Sequence, residues 1–390
     1  MLSVEQALER IFTLVSPLET ETVPLAEAGR RVLARPVAAR RDQPPFSASA
    51  MDGYALRAAE TRPGASFRVI GESAAGHRFE GRLGAGEAVR IFTGAPLPEG
   101  ADRVVMQEDT RREGERIILL DSLGEGRNVR PLGADFTAGS TLDAPRRLRP
   151  ADLALIAAMN VARVPVFRRP TVAFVATGDE LVMPGEEPGP DQIIASNGFG
   201  LAQMAREAGA EARLLPIARD SAASLRAALE LAVDADMIVT IGGASVGDHD
   251  IVGEVAASMG MKQSFYKVAM RPGKPLMAGT LAGKAMLGLP GNPVSSMVCG
   301  HIFMLPALRV MMGLPAAPAP RRSAPLAAPL PANGPREHYM RARLTPGGIE
   351  AFDRQDSALL SVLARADALL IRPPGDGPRA AGEMVEYIEV

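Results

Sequence analysis

Tryptophan is absent from the 390 residues, tyrosine occurs four times and cysteine once. So few aromatic faces leave little on which single-stranded bases can stack, and a net charge of -2 offers no phosphate-neutralising surface. Both argue against a general nucleic-acid binder. The lone Cys299 cannot form a disulfide within the chain, and its apolar setting, Val294 to Met312, marks it as a core residue. His77, His249, His301 and His338 are scattered without the paired Cys or His spacing of a structural zinc site. No run of about twenty uninterrupted apolar residues is present, and the N-terminus lacks a basic segment followed by an apolar core and a cleavage site. The expectation is a soluble cytoplasmic protein with no membrane and no nucleic-acid partner. At 47% hydrophobic and 23% charged residues the chain is built to fold, and its length favours two to four domains.

What is present is a repeated junction. Three short apolar runs, Val172 to Ala176, Met237 to Ile241 and Ala285 to Leu289, each end in a loop: TGDE (177 to 180), GGASVGDHD (242 to 250) and PGNP (290 to 293). Such runs, separated by helical patterns, read as buried parallel strands of an open α/β sheet, whose ligands collect at the carboxyl ends of the strands. Glycines there let backbone N–H groups approach a ligand, and a following helix favours an anion.

Around this unit the chain divides into segments. Ser3 with Gln6 makes a capping box for an amphipathic helix carrying Val4, Ala7, Leu8, Ile11 and Leu14, and a second helical piece is expected near Leu25 to Ala34. These belong to an elongated N-terminal region, 1–41 and 146–169. Residues 42–145 form an inserted β-rich domain, with strands expected at Phe67 to Ile70, Ala88 to Phe92, Arg103 to Gln107 and Ile117 to Leu120. Residues 170–313 form the α/β domain: Pro150 starts the helix leading to it, Ser196 or Asn197 caps a helix ending at Gly209, Asp220 caps another, and Asn292-Pro293 starts the last. The Pro-rich stretch after Gly313 is a boundary, and 314–390 form a small C-terminal β domain with strands at His338 to Leu344, Ala368 to Ile371 and Met384 to Val390.

Chemistry concentrates at the strand ends. Asp179 and Glu180 follow the first run, and Asp248 and Asp250 lie in the second loop. Carboxylates at a phosphate-suited site make physical sense if Mg²⁺ joins them. Asp220 is either a helix cap or a ligand-facing acid. Arg271 and Lys274 in RPGKP (271 to 275) are cations fit to hold phosphate or a metal oxyanion. Asp52-Gly53 in SAMDGYA (49 to 55) reads as a hairpin turn or part of a site, and TGAPLP (93 to 98) as a rigid loop or part of a site. GTLAGKA (279 to 285) has the wrong spacing for a Walker A loop and reads as a hairpin.

In this order, PPF with SAMDGYA, TGAPLP, GRNVRPLGAD (126 to 135), TGDEL, GGASVGDHD, RPGKP and PGNP resemble the molybdopterin molybdotransferases of the MoeA type, whose relatives include the E domain of gephyrin. The resemblance spans essentially the whole chain. It implies a four-part architecture, a homodimer, and transfer of molybdenum from molybdate to adenylylated molybdopterin with Mg²⁺ and release of AMP. By motif, it assigns Asp52, Thr93, Glu180 and Asp250 to catalysis, and Glu180, Asp220 and Asp250 to the metal. Substrate contacts fall on Thr177, Gly178, Asp179, Asp220, Gly242, Gly243, Ser245, Gly247, Asp248, Arg271, Lys274, Pro290, Gly291, Asn292 and Pro293, with Arg341 and Ser357 from the C-terminal domain approaching the site of the other subunit. Contact with the adenylylating enzyme is a further implied partnership. Ala195 and Ala134 depart from the family pattern, which often has Asp and Glu there. Two other readings share the α/β domain: the adenylylating enzyme itself, and a noncatalytic molybdopterin-binding scaffold.

Overall fold

A computed structural model describes residues 1–243 and 251–390. Helix α1, Val4–Phe12, begins at the Ser3/Gln6 capping box and buries Val4, Ala7, Leu8 and Ile11. The helical piece expected near Leu25 to Ala34 is instead one 3₁₀ turn, Leu25–Glu27, followed by the strand Val32–Leu33. Arg30 adopts a φ of 64°, which ends any helix, and both Val32 and Leu33 are buried by sheet pairing, so tertiary contact overrides the local pattern. That small sheet orders Thr20–Pro24, Arg163–Phe167, Val32–Leu33 and Arg146–Arg147, all antiparallel. It is thus built from chain on both sides of the inserted module. Helix α2, Pro150–Ala158, starts with Pro at its first turn and packs on this sheet through Ile156.

The inserted module is a six-stranded sheet ordered Arg103–Met106, Gly53–Leu56, Glu87–Ile91, Ser66–Ser73, Arg116–Leu119, Thr110–Glu113. Alternation sends Tyr54, Leu56, Val105 and Ile117 to one apolar cluster and Ala55, Val89, Ile91 and Val104 to another, as period-2 side chains require.

The central sheet runs Glu211–Leu214, Thr171–Ala176, Met237–Ile241, Lys284–Leu289, Met277–Leu281, Lys262–Tyr266; the first four are parallel and the last two antiparallel. The three apolar runs are adjacent strands. Met277–Leu281 and Lys284–Leu289 are joined through Ala282 and Gly283, both at positive φ, so GTLAGKA is a two-residue hairpin. Both faces are covered. Val172 and Phe174 meet α1, helix α3 (Asn197–Ala208) and the long helix Pro293–Met311, while Ala173 and Val175 meet helices α4 (Ala222–Glu230) and α5 (Ile251–Ser258). The long helix comprises α6, Pro293–Cys299, a π-helical turn, Gly300–Met304, and α7, Leu305–Met311. It has the length and hydropathy of a membrane span, yet 78% of its apolar window is buried inside the fold, the environment of a core helix. Cys299 is fully buried in it.

The C-terminal sheet orders Met270–Arg271, Glu337–Thr345, Ala368–Arg372, Met384–Glu389, Arg322–Pro325, with Gly348–Ala351 hairpinned onto Glu337–Thr345. Its first strand belongs to the central chain segment. The Ala269 N–H donates to the Leu2 carbonyl at 2.8 Å and the Glu337 N–H to the Ala269 carbonyl at 3.0 Å. The RPGKP loop is therefore fixed where the N-terminus, the central domain and the C-terminal sheet meet.

Candidate active site

Thr171–Ala176 connects through α3 to a strand on one side of it, and the chain then crosses to Met237–Ile241 on the other. Their carboxyl ends flank a topological switch point, and a cleft of about 890 Å³ opens there, within the range of small-molecule sites. Thr177, Gly178, Glu180, Asp220, Gly242, Gly243 and Pro290 through Pro293, all among the residues that the resemblance implicates, line it. Ser245, Gly247, Asp248 and Asp250 lie outside the described residues.

Several backbone donors at the strand ends are already committed. The N–H groups of Thr177, Gly178 and Gly242 donate to the carbonyls of Ile241, Ala218 and Leu289 at 3.0 Å each. These bonds shape the cleft floor. Gly178 has a φ of +145°, and a Cβ there would lie 2.3 Å from Glu180 Oε2; Gly242 has a φ of +92°, and a Cβ would lie 2.8 Å from the Thr177 carbonyl oxygen. Only glycine fits either position. At the rim, Asn197 Nδ2 donates to the Gly291 carbonyl at 2.7 Å, locking the start of α3 to the PGNP loop. Ser196 makes no side-chain cap, so the N-terminal turn of α3 opens uncapped beside the cleft.

The carboxylates divide by role. Glu180 and Asp220 are exposed at the cleft wall and make no ion pair or side-chain hydrogen bond among the described residues. Asp179 does not line the cleft; its Oδ1 accepts the Asp220 N–H at 3.1 Å and holds that loop. Nor does Asp220 cap α4: Ser221 does, its hydroxyl accepting the Ser224 N–H at 3.3 Å, because the capping residue must sit in extended backbone one position later. Asp220 is thereby free to face the cleft. Arg219 Nη1 donates to the carbonyls of Gly178, Asp179 and Leu181, bracing the TGDEL loop.

Near this acidic cleft stand several basic residues of the RPGKP loop and the C-terminal sheet. Arg271, Lys274, Arg341 and Ser357 do not line the cleft, but Pro275 and Ala358, next to Lys274 and Ser357, do. Arg341 is 0% exposed. Its Nη2 donates to the Asp356 carbonyl at 3.0 Å, while its Nε and Nη1 are buried without a partner among the described residues. Burial lowers its pKa to about 10, with the Asp356 carboxylate opposing and Arg271 assisting. Gln355 grips both the N–H and the carbonyl of Arg341 at 2.9 Å. His338, level with Arg271 on the neighbouring strand, is held near a pKa of about 4 by burial and then by Arg271, Arg341, Arg336 and Arg372, so it is neutral at pH 7. Neither Arg271 nor Lys274 has an ion-pair partner among the described residues. The Ser357 carbonyl accepts the Val294 N–H at 3.0 Å, bringing the C-terminal domain onto the PGNP helix.

Asp52 and Thr93 stand apart on the inserted module and do not line the cleft. Asp52 is no hairpin turn: its Oδ1 accepts both the N–H and the hydroxyl of Thr93 at 2.7 Å, which lowers its pKa in that order of effect and keeps it ionised. Sequence reasoning missed Glu254 in the first turn of α5, and Ile193 and Ile194, exposed at the rim where they pair with Leu181 and Val182. The signal for Glu254 was its place on a helix that begins directly after a ligand loop. No signal marked the isoleucines, whose apolar side chains read as core.

Three family models match the chain in order: the MoeA N-terminal region (domain I and II) over residues 2–160, a probable molybdopterin binding domain over 173–310, and the MoeA C-terminal region (domain IV) over 323–390. A molybdopterin molybdenumtransferase of Nostoc sp. is 37% identical across 100% of this chain and 94% of its own length, and molybdopterin molybdenumtransferase 2 of Mycobacterium tuberculosis is 36% identical across 99% of each. Two solved structures of a molybdopterin biosynthesis MoeA protein from Pyrococcus horikoshii match with TM-scores of 0.87 and 0.81 at 28% and 30% identity, covering 100% of this chain and 100% and 99% of theirs. The chain belongs to the molybdopterin molybdenumtransferase family.

Proposed function

We propose that this protein transfers molybdenum from molybdate to adenylylated molybdopterin, with cleavage of the phosphoanhydride and release of AMP. One observation carries the reading: among the described residues, a cleft with unpaired carboxylates adjoins a buried Arg341 whose guanidinium has two nitrogens without a partner. The first suits a phosphorylated ligand bound through a divalent cation, and the second suits a tetrahedral oxyanion.

Glu180 and Asp220 fit Mg²⁺: both are hard oxygen donors, both are unpaired, and two carboxylates leave the remaining positions to phosphate and water. Mg²⁺ held there supplies charge neutralisation at the phosphoanhydride. Asp250, assigned from its motif, adds a third acid. Arg341, Arg271 and Lys274 hold molybdate through charge-assisted hydrogen bonds.

Asp52, ionised and bound to Thr93, does not line the cleft of its own chain; in this reading the working unit is a homodimer, in which the inserted module of one protomer completes the site of its partner. The adenylylating enzyme supplies the activated pterin, and handover between the two enzymes keeps that labile intermediate from water. The test is AMP release by the purified protein with adenylylated pterin, Mg²⁺ and molybdate. Release that requires molybdate is expected; release indifferent to molybdate, or none, would overturn the proposal.

A further inference from the structure

The inserted module carries a clamp behind Asp52. Arg90, on the strand Glu87–Ile91, stands directly opposite Tyr54 on the strand Gly53–Leu56, and Phe92 lies two residues further along. Its guanidinium carbon is 5.1 Å from the centre of the Tyr54 ring and 4.8 Å from that of Phe92, so one planar cation is held by two aromatic rings. The terminal nitrogens reach the chain around Asp52: Nη1 donates to the Gly53 carbonyl at 3.2 Å, and Nη2 to Gln107 Oε1 at 2.5 Å. The Gln107 N–H in turn donates to the Asp52 carbonyl at 3.1 Å.

Asp52 is thus gripped through its main chain and through one carboxylate oxygen, Oδ1, which accepts the Thr93 N–H and hydroxyl at 2.7 Å. Oδ2 accepts no hydrogen bond among the described residues and the residue is exposed, so one oxygen is fixed and the other is presented. The Thr93 N–H and hydroxyl hold the carboxyl below the usual carboxylate range; desolvation opposes them and the Arg90 charge adds to the lowering. Arg90 itself turns both terminal nitrogens into the fold and forms no ion pair among the described residues. Two rings and two inward bonds set it in one orientation, which surface solubility does not require.

We propose that Arg90 is a positioning residue for Asp52: clamped between Tyr54 and Phe92, its planar fork fixes the turn from which the Asp52 carboxylate is presented to the reacting ligand. This role, which rests on the reading of Asp52 as a group completing a partner's cleft, gives Arg90 no contact with substrate. A lysine would keep the charge but lose the fork, because a single ammonium cannot bridge Gly53 and Gln107 in one plane between two rings. Displacing a reacting group by about 1 Å costs on the order of 100-fold in rate, so loss of the clamp is read in turnover.

The test is a double-mutant cycle on the full chain: Arg90→Met, Asp52→Asn and the two together, each assayed for molybdate-dependent AMP release and for Tm. Arg90→Met should lower kcat roughly 10- to 100-fold with KM for molybdate unchanged, since Arg271, Lys274 and Arg341 are untouched. In the Asp52→Asn background the same substitution should lower kcat by no more than about twofold, because no carboxylate remains to be aimed. Arg90→Lys should stay within about threefold of Arg90→Met. If Asp52→Asn leaves no measurable turnover, the split between kcat and KM and the lysine variant decide. Should Arg90→Met fail to fold, Gln107→Ala, at an exposed position, removes one arm of the clamp and should show a smaller kcat loss that likewise vanishes without Asp52. Equal losses in the two Asp52 backgrounds, a fall in Tm with kcat per folded molecule unchanged, or full rescue by lysine overturns the role of Arg90 alone. Wild type that releases no AMP, or Asp52→Asn at wild-type turnover, overturns the reading of Asp52 and this role with it.

Discussion

Arg341→Met separates a ligand-holding arginine from a structural one, because the two readings give opposite signs for stability and activity. Methionine keeps an unbranched stem of similar reach and stays apolar. The change removes the hydrogen bond from Nη2 to the Asp356 carbonyl, worth about 1.5–3 kcal/mol for a charged donor. It also removes two buried nitrogens that have no partner, each costing about 1–3 kcal/mol of desolvation. The main-chain grip of Gln355 on residue 341 is untouched. The gain of about 2–6 kcal/mol from the two nitrogens at least offsets most of the loss, so unfolding free energy should fall by no more than about 1 kcal/mol and is expected to rise. A buried arginine that served only as an ion-pair member would instead cost about 3–5 kcal/mol. Activity should fall sharply, since losing a buried charge against an oxyanion costs about 2–4 kcal/mol, or roughly 30- to 1,000-fold in kcat/KM for molybdate. Urea unfolding and molybdate-dependent AMP release on the same preparation decide the matter. Destabilisation beyond about 3 kcal/mol with molybdate kinetics unchanged per folded molecule would refute the reasoning.

Glu180→Gln and Asp220→Asn should each raise the Mg²⁺ concentration for half-maximal AMP release by roughly tenfold while leaving Tm nearly unchanged, because neither carboxylate is bonded to the fold; a Mg²⁺ titration of turnover reads this directly. Gly242→Ala places a Cβ 2.8 Å from the Thr177 carbonyl oxygen at a φ of +92°, and should cost about 2–3 kcal/mol in urea unfolding and weaken pterin binding, measured by fluorescence, as the floor of the cleft shifts. For Asp152, burial opposes ionisation but the Arg149 N–H and the Arg146 and Arg149 side chains outweigh it, lowering the pKa from 3.8 to about 2. The folded pKa is depressed, so the stabilisation, about 2 kcal/mol, is present above the unfolded value and is lost as pH falls through the folded one. Urea unfolding of wild type and Asp152→Asn should differ by about that amount at pH 7 and by about half of it at pH 3.

The parallel strands were legible because Val172 to Ala176, Met237 to Ile241 and Ala285 to Leu289 are buried on both faces and so lack alternation, while glycine-rich loops punctuate them. The capping box of α1 and the hairpin at Ala282-Gly283 were equally plain, since each depends on residues a few positions apart. The Leu25 to Ala34 segment misled because its apolar spacing suits a helix, and only the return of Arg146–Arg147 and Arg163–Phe167 turns it into sheet. In the candidate site, Glu180 and Asp220 could be named because they adjoin strand ends. Whether Asp179 or Asp220 faced the cleft could not, because that depends on which residue takes the extended capping conformation before α4. The unpaired state of Arg341 was invisible, as it arises from the depth at which Gln355 and Asp356 hold one strand of a separate sheet.

Among the described lining residues the cleft carries Glu180, Asp220 and Glu254 and no Lys, Arg or His, while Arg271, Lys274 and Arg341 lie just beyond its edge. That partition has a physical consequence. An adenylylated pterin and molybdate are both multiply negative, and two such ligands brought together in one uniformly basic pocket would each bind tightly and part slowly. Under the proposed reaction, acids on one side would retain the phosphorylated ligand only when a divalent cation bridges it, whereas molybdate would be retained by the guanidinium and ammonium groups without one. On that reaction, metal occupancy would gate one substrate and not the other. The Ser357 carbonyl accepts the Val294 N–H at 3.0 Å and ties the two halves at their seam, so on that reaction the spacing between phosphate and oxyanion would follow the junction of two domains more than side-chain reach.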